Sequence, residues 1–297
     1  MIIKHFYHPP TFTLSYLVWD EATMDAVLID SVLDYDPTAS QTSTPSADAI
    51  CEFIEAKRLK VHALLETHAH ADHLSGAALL KKRLGAKTVI GEHIKTVQRT
   101  FKGLLDLPEG FATDGRQFDH LLSDGEVFEA GSLKVKALHT PGHTPACTSY
   151  LIGDAVFTGD SLFLEDFGSG RCDFPGGDAE ALYASIHDKL YALADDTRVF
   201  VGHDYQPGGR ALRYQTTIGH SKAHNKHVRS ETTCQEFVAM RRARDAGLQA
   251  PRLLFQSVQV NINGGRIPAA ADNGVRFLKL PLNLFAKSDD FGEPIEE

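Results

Sequence analysis

Short apolar runs separated by turn residues dominate the first two thirds of the chain and predict a mixture of strands and helices. Residues 11–20 (TFTLSYLVWD) and 25–32 (DAVLIDSV) are rich in aromatic and branched side chains, and the polar EATM between them predicts a strand hairpin. Residues 46–58 carry apolar side chains at helical spacing behind Ser46, which we expect to cap a helix. Three further elements complete this half: a buried strand at 61–67, a helix at 74–85 and a strand at 87–92.

The pattern changes to an antiparallel one after residue 125. Consecutive strands separated by turn residues are predicted at 126–140, 146–154 and 155–163, followed by an amphipathic helix over 178–195 and a strand over 197–205. The glycine- and proline-containing QPGG then breaks the chain, a helix is predicted over 231–247, and the end is irregular. We predict an α/β (α+β) core over residues 1–205 and a C-terminal extension, residues 206–297, packed on it.

Composition narrows the class of protein. At 297 residues and 42% hydrophobic, the chain can bury a large core, and 30 basic against 39 acidic residues give a net charge of −9, which argues against nucleic-acid binding. The apolar runs are shorter than the ~20 residues of a membrane span. Histidine and a proline pair interrupt MIIKHFYHPPTF before a secretory core can form. We expect no membrane partner, and a homodimer is compatible with this composition.

The four cysteines indicate the compartment. Cys51, Cys147, Cys172 and Cys234 lie far apart without metal-type spacing, which is typical of free thiols in a reducing compartment. We therefore expect a cytoplasmic protein.

One segment departs from the acidic balance. From Tyr205 to Ser230 there is no aspartate or glutamate, but there are five basic residues: Arg210, Arg213, Lys222, Lys226 and Arg229. This local positive charge could hold an anionic small molecule, and a solvated basic surface is the alternative. Three histidines of this segment fall at helical spacing without a carboxylate, which favours a solvated or substrate-facing helix over a metal site: His220, His224 and His227.

The stretch THAHADH concentrates ligand-type side chains. His68 and His70 would share one face of an extended segment and bind one ion, while Asp72 and His73 turn toward a second. Three more candidates each follow an apolar strand: His143, Asp160 and His203. Gathering these groups at strand ends without a cation would leave buried, unpaired charge that costs several kcal/mol. The pattern therefore predicts a metal centre.

The motifs THAHADH, PGHT, TGD and GHDY, in this order, resemble the metallo-β-lactamase superfamily over roughly residues 12–205. The resemblance implies an αββα sandwich with a metal site along one edge of its sheets. In the two-metal form it implies His68, His70 and His143 at the first position, Asp72, His73 and His203 at the second, and Asp160 between them.

Within that superfamily, two branches that act on glutathione derivatives fit best. Persulfide dioxygenases show Gly-x-Gly-Arg-x-Asp-Phe after Thr-Gly-Asp, and the sequence GSGRCDF over residues 168–174 reproduces it. The tail, with NINGG and KLPLN, lacks the basic helix signature of glyoxalase II. The resemblance implies one Fe(II) on His68, His143 and Asp160, the facial triad that leaves positions open for substrate and oxygen.

The implied substrates are glutathione persulfide and O2, and the products are sulfite and glutathione. His70, Asp72, His73 and His203 would then orient ligands and water around the iron. Candidate contacts to the glutathione carboxylates are Arg171, Tyr205, Arg210 and Arg213. The alternative is a glyoxalase II-like hydrolase, in which two Zn(II) ions activate a hydroxide that attacks glutathione thioesters. A metal-binding regulator without chemistry is a third hypothesis, disfavoured by the complete set of open-site ligands.

Overall fold

The fold consists of two large sheets and their flanking helices. The computed structural model describes residues 1–284 and 291–293. In chain order the strands are β1 (Ile2–His8), β2 (Thr13–Trp19), β3 (Asp25–Ile29), β4 (Val32–Asp36), β5 (Gln41–Ser43), β6 (Lys60–Glu66), β7 (Leu74–Ser75), β8 (Lys87–Gly91), β9 (His120–Leu122), β10 (Val127–Ala130), β11 (Leu133–His139), β12 (Thr148–Ile152), β13 (Ala155–Phe157), β14 (Arg198–Phe200) and β15 (Gln215–Thr217). The α-helices are α1 (Pro45–Lys57), α2 (Ala77–Leu84), α3 (Ile94–Leu104), α4 (Ala179–Ala184), α5 (Ile218–His224), α6 (Cys234–Asp245) and α7 (Leu254–Asn261), and a π-helical turn, Ser185–Leu190, continues α4.

The first sheet places the predicted hairpin beside a parallel α/β unit. Its six strands lie in the order β1-β2-β3-β6-β8-β9. β2 and β3 pair antiparallel, whereas β3, β6, β8 and β9 run parallel to one another. The carboxyl ends of these parallel strands meet at one edge, where open α/β sheets place their ligand sites. The loop that follows β6 begins at this edge.

All seven residues of β2 are buried because the strand is covered on both faces. Leu14, Tyr16 and Val18 belong to the core between the two sheets. Leu17 and Trp19 belong to a second cluster with side chains of α1 and α2. The alternation follows from the two-residue period of a strand and shows how one sheet separates two apolar layers.

The second sheet includes residues beyond position 205. Its order is β10-β11-β12-β13-β14-β15, and β15 pairs antiparallel with β14. Leu182 and Ile186 from α4 and its π-helical turn, with Phe237 of α6, join the same core as the strands. The division into core and extension at residue 205 stays a prediction, but the sheet itself continues to Thr217.

The αββα layering expected from the sequence is confirmed by the two sheets and the helices on their outer faces. At α1 the expected cap is wrong. The helix begins two positions earlier than this cap implies, Thr44 takes the capping position, and the Ser46 hydroxyl donates instead to Asp34 at 2.8 Å. The four cysteines are free thiols. No described helix combines the length and apolar character that a membrane span requires.

Several elements escaped the sequence pattern. The helix predicted at 74–85 begins only at Ala77, because Leu74 and Ser75 pair with β4 as the short strand β7. The strands β1, β4 and β5 and the helices α3 and α7 were not predicted. The helix α7 lies in the tail that was expected to be irregular, although Leu254, Val258 and Asn261 are buried at helical spacing.

Candidate metal centre

The loop that follows β6 carries the ligand-type side chains of THAHADH. β6 is paired on both sides and becomes fully buried at its end, so the chain leaves the sheet at Glu66 inside the protein. His68, His70 and His73 are each no more than 1% exposed, and the Asp72 side chain is partly exposed. Because β6 ends inside the protein, the imidazoles of His68, His70 and His73 lie in the interior.

The first ligand group joins three loops. The ligand atoms of His68, His143 and Asp160 lie within 4.8 Å of one another. The Nδ1 atom of His143 is 2.7 Å from the carbonyl oxygen of Arg171. Because a carbonyl only accepts, Nδ1 carries the ring proton and Nε2 keeps its lone pair for a metal. These are the residues predicted to hold iron, and the structure brings them together.

The second ligand group lies beside the first. His70, Asp72 and His203 also present ligand atoms within 4.8 Å of one another. The Nε2 atom of His203 is 3.6 Å from Asp72 Oδ2 and 3.3 Å from Asp160 Oδ1, so Asp160 lies between the two groups. The His73 ring lies 4.2 Å from the His70 ring. All seven predicted ligand residues therefore meet in one place.

Two buried carboxyl groups, of Asp30 and Glu66, lie against the loop that carries THAHADH. Asp30 Oδ1 accepts from the backbone N–H of Thr67 at 2.7 Å and lies 3.1 Å from His70 Nε2. A carboxylate in this position favours a proton on Nε2, which leaves Nδ1 of His70 for a metal. Burial, with a contribution from Asp30, raises the pKa of Glu66 well above its usual value, and the Ser75 hydroxyl donates to Glu66 at 2.8 Å.

The unpaired donor atoms at this site suit a metal ion. Buried nitrogen and oxygen atoms converge without a hydrogen-bond partner among the described residues: His68 Nε2, His70 Nδ1, His73 Nε2, His203 Nε2 and Asp160 Oδ1. Each such atom carries a desolvation cost of about 1–3 kcal/mol unless something binds it. A cation that accepts their lone pairs removes this cost, and imidazole with carboxylate suits Fe(II) or Zn(II).

The electrostatics favour the metal-binding forms of three of these ligands: His68, His70 and Asp72. Burial and the neighbouring His70 lower the pKa of His68 well below its usual value, and burial and His73 do the same for His70. Burial raises the pKa of Asp72, but His203 and His73 outweigh it and bring that pKa well below its usual value. Neutral imidazoles and an ionised carboxylate are the forms that bind metal. Burial lowers the pKa of His203, but Asp160 and Asp72 outweigh it and raise that pKa above its usual value.

A cavity of about 570 Å³ opens above the two ligand groups. Its lining includes His143, Asp160, Asp72 and His73, so both groups can be reached from it. One wall is aromatic: the Tyr205 ring stacks on Phe167 at 4.5 Å and lies 5.5 Å from the Phe12 ring. The volume of the cavity is typical of a small-molecule binding site.

The GSGRCDF loop forms another wall of the cavity. A Cβ atom at Gly170 would lie 2.0 Å from the carbonyl oxygen of Asp160, so only glycine permits this approach. The Arg171 guanidinium lines the cavity but is forked onto Asp173, at 2.6 and 2.5 Å. The Phe174 ring lies 5.1 Å from the His143 ring. Arg171 as a substrate contact stays a prediction, as does Tyr205, which lines the same cavity.

The placement of Arg210 and Arg213 does not favour the predicted contact with substrate. Arg210 pairs with Asp166 and Asp204, at 2.5 and 2.7 Å, and Arg213 pairs with Glu165 at 2.7 Å. Glu165 and Asp166 come from another part of the chain and Asp204 immediately precedes the segment, so the surface around these arginines is not free of acidic groups. Of the remaining basic residues, Lys222 pairs with Asp195 and Arg229 with Glu231.

Sequence reasoning missed the arginines of the extension that line the cavity. Arg241, Arg244 and Arg252 all contribute to its wall. The basic run RRAR in α6 was the available signal. Among the three histidines read as a helix face, His220 and His224 are exposed on α5, but His227 is buried past its end.

Comparison with known proteins agrees with this geometry. The family model of the metallo-beta-lactamase superfamily matches residues 8–203. The chain is 48% identical over 293 residues to a probable metallo-hydrolase of Burkholderia pseudomallei, covering 95% of this chain and 99% of that protein. It is 48% identical over 269 residues to glyoxylase B2 of Dictyostelium discoideum, covering 90% of this chain and 92% of that protein.

Persulfide dioxygenases are more distant relatives. The human mitochondrial persulfide dioxygenase ETHE1 is 29% identical over 268 residues, covering 89% of each chain. The crystal structure of ETHE1 from Myxococcus xanthus superimposes with a TM-score of 0.71 at 31% identity, covering 90% of this chain and all of that one. The fold, the ligand cluster and the family match together show that the chain belongs to the metallo-β-lactamase superfamily. The resemblance read from its motifs is thereby confirmed, and the site is that of a metal-dependent enzyme.

Proposed function

We propose that the protein is a glutathione persulfide dioxygenase, in which His68, His143 and Asp160 hold one Fe(II). The observation that carries the proposal is the GSGRCDF loop, which lies against this ligand group through the hydrogen bond from His143 to Arg171. Support also comes from the likeness to the ETHE1 proteins in sequence and fold. A cytoplasmic location and a homodimer belong to the same proposal.

When bound, Fe(II) would supply open coordination positions for the persulfide sulfur and for oxygen. Overall, persulfide, O2 and water give thiol, sulfite and two protons. The S–S bond breaks, the outer sulfur is oxidised to sulfite with O2 accepting four electrons, and the inner sulfur takes up a proton to become the thiol. The Arg171 carbonyl keeps the proton of His143 on Nδ1, away from the iron side. Among the described residues the Tyr205 hydroxyl has no hydrogen-bond partner, and burial with Asp160 and Asp72 raises its pKa well above its usual value. Tyr205 is therefore a protonated donor that faces the cavity.

The cavity suits a substrate with carboxylates. Arg244 and Arg252 line it, and no described residue pairs with either guanidinium. Glutathione carries two carboxylates, which an arginine binds through paired N–H groups. We therefore propose Arg244 and Arg252 as the main contacts to the substrate carboxylates, while Arg171, which is paired with Asp173, stays a predicted contact.

A second function is favoured by a specific observation. The ligand atoms of His70, Asp72 and His203 are close enough to hold a second ion. Two Zn(II) ions would make the protein a hydrolase of glutathione thioesters. The relative from Burkholderia pseudomallei is named a probable metallo-hydrolase, which agrees with hydrolysis as the type of reaction.

One experiment separates these functions. The protein is purified without added metal, its metal content is measured, and oxygen uptake with glutathione persulfide is compared with hydrolysis of S-lactoylglutathione. About one iron per chain with rapid oxygen uptake supports the dioxygenase. Two zinc ions per chain with thioester hydrolysis would overturn it.

A further inference from the structure

Asn261, the last residue of α7, lies beneath the metal-binding loop. Its side chain is buried, at 3% exposure. The amide Nδ2 donates to the carbonyl oxygens of His70 and His73, each at 2.8 Å, and Oδ1 accepts from the backbone N–H of Ser75 at 2.7 Å. One side chain of the extension therefore uses both N–H groups and its oxygen on the loop that carries four candidate ligands.

These contacts reach the backbone of the loop and not its imidazoles. Between β6 and β7 the chain has no regular secondary structure, so nothing repetitive sets the direction of its peptide groups. The two carbonyls that Asn261 holds flank Asp72 on either side. Fixing them sets the direction in which His70, Asp72 and His73 leave the backbone.

The extension makes a second contact of this kind with the GSGRCDF loop. Arg241 and Asp245 of α6 form a buried ion pair, at 2.5 Å. Arg241 donates to the carbonyl oxygen of Ser169 at 3.1 Å, and Asp245 accepts from the backbone N–H of Cys172 at 2.8 Å. The pair therefore holds the chain on both sides of Arg171, whose carbonyl accepts from the ring of a metal ligand.

We propose that the C-terminal extension positions the ligands of the metal centre, with Asn261 as its main positioning residue and the Arg241–Asp245 pair as its second contact. Among its described residues the extension contributes no ligand, yet it orients the backbone of the THAHADH loop and of the GSGRCDF loop. The inference concerns metal binding alone and does not depend on whether the reaction is an oxidation or a hydrolysis.

The test compares two asparagines of the same NINGG motif. Asn261→Ala removes the three contacts, whereas Asn263→Ala removes an exposed hydrogen bond to the Arg266 carbonyl. Co(II) affinity is measured by competition with a chelator, and the visible spectrum of the cobalt-loaded protein reports ligand geometry. We expect Asn261→Ala to bind Co(II) about 10–100-fold more weakly, as for other residues that orient metal ligands, with a changed spectrum. Asn263→Ala should match the wild type.

A merely structural role would give a different result. If Asn261→Ala unfolds at a lower urea concentration but keeps the wild-type cobalt affinity and spectrum, the proposal is overturned. Should Asn261→Ala fail to fold, Asn261→Ser restores one donor and provides the same comparison. Asp245→Asn keeps an acceptor for Cys172 but removes the charge pair, and an unchanged affinity in that variant would overturn the second contact.

Discussion

Arg244 and Arg252 differ from the other arginines near the cavity because no described carboxylate faces them. Arg171 forms an ion pair with Asp173, and Arg241 forms one with Asp245. Arg210 pairs with both Asp166 and Asp204. An arginine that is already paired offers a substrate little gain, since the new contact must replace an existing one. Unpaired guanidinium groups at a cavity wall are the ones free to bind an anion.

Replacing Arg244 with alanine should therefore raise the KM for glutathione persulfide about 10-fold, equivalent to ~1.4 kcal/mol, with little change in kcat. Arg242→Ala is the matched control, because this neighbour on α6 lies 3.7 Å from Glu180 and outside the cavity lining. Steady-state oxygen uptake measures both variants. Equal KM values for the two would remove Arg244 from the substrate site.

His227 makes the stability of the fold depend on pH, separately from the titration of the metal ligands. Burial, with Arg241 and Arg244, lowers its pKa from 6.5 to about 3. The unfolded chain binds the proton first, so this contribution to stability is complete above pH 6.5 and is lost as the pH falls toward 3. At pH 5 the loss is about 2 kcal/mol.

Urea unfolding of the metal-free protein at pH 7 and pH 5 measures this effect. His227→Gln should lose about 2 kcal/mol less than the wild type over this interval. His224→Gln, at an exposed position of α5, should follow the wild type. Identical losses in all three proteins would show that His227 is not the titrating group.

At the scale of elements, the GSGRCDF loop depends on glycine for its approach to the ligands. A Cβ atom at Gly170 would meet the Asp160 carbonyl at 2.0 Å and the His143 Cβ at 3.4 Å. Gly170→Ala should therefore push two ligand-bearing segments apart, weaken metal binding at least ~10-fold and destabilise the fold by about 1–3 kcal/mol.

Gly103→Ala is the control for Gly170→Ala. Gly103 lies in α3, and a Cβ atom there would meet nothing within 4 Å. Alanine should stabilise this helix by about 0.5–1 kcal/mol. Thermal unfolding and metal titration of both variants separate a local clash from a general intolerance of alanine, and normal metal binding by Gly170→Ala would contradict the steric argument.

Strands and ligand motifs were predictable because their signals are local. The alternation of β2 and the spacing of His68 and His70 can each be read within a few residues. The helix α7 was not predicted, since it has only eight residues and its buried face includes the polar Asn261, whose partners His70 and His73 lie far away in the sequence. The ion pair of Arg210 could not be predicted for the same reason, because Asp166 lies 44 residues away. What the sequence hides is pairing between distant segments.

At the scale of the whole molecule, the metal centre joins the two sheets. His68 follows a strand of the first sheet, while His143 and Asp160 follow strands of the second. A bound ion would therefore cross-link them in the folded state only. Metal at ~100 times its dissociation constant should stabilise the fold by about 2.7 kcal/mol.

Calorimetry before and after chelation tests this coupling. Removing the metal should lower Tm by about 5–10 °C, and adding it back should restore the original value. His68→Ala should show a smaller shift under the same metal concentration. Coincident melting of the loaded and chelated wild type would mean that the centre does not tie the sheets together.

Arg171 serves the molecule through two chemically separate parts. Its carbonyl oxygen, which every amino acid possesses, accepts from His143, while its side chain lines the cavity and pairs with Asp173. Another residue at this position keeps the carbonyl as long as the flanking glycine preserves the path of the chain. Evolution can therefore exchange this side chain, and any substrate contact that it makes, without rebuilding the metal centre. A duplicated gene has here a short route to a new specificity.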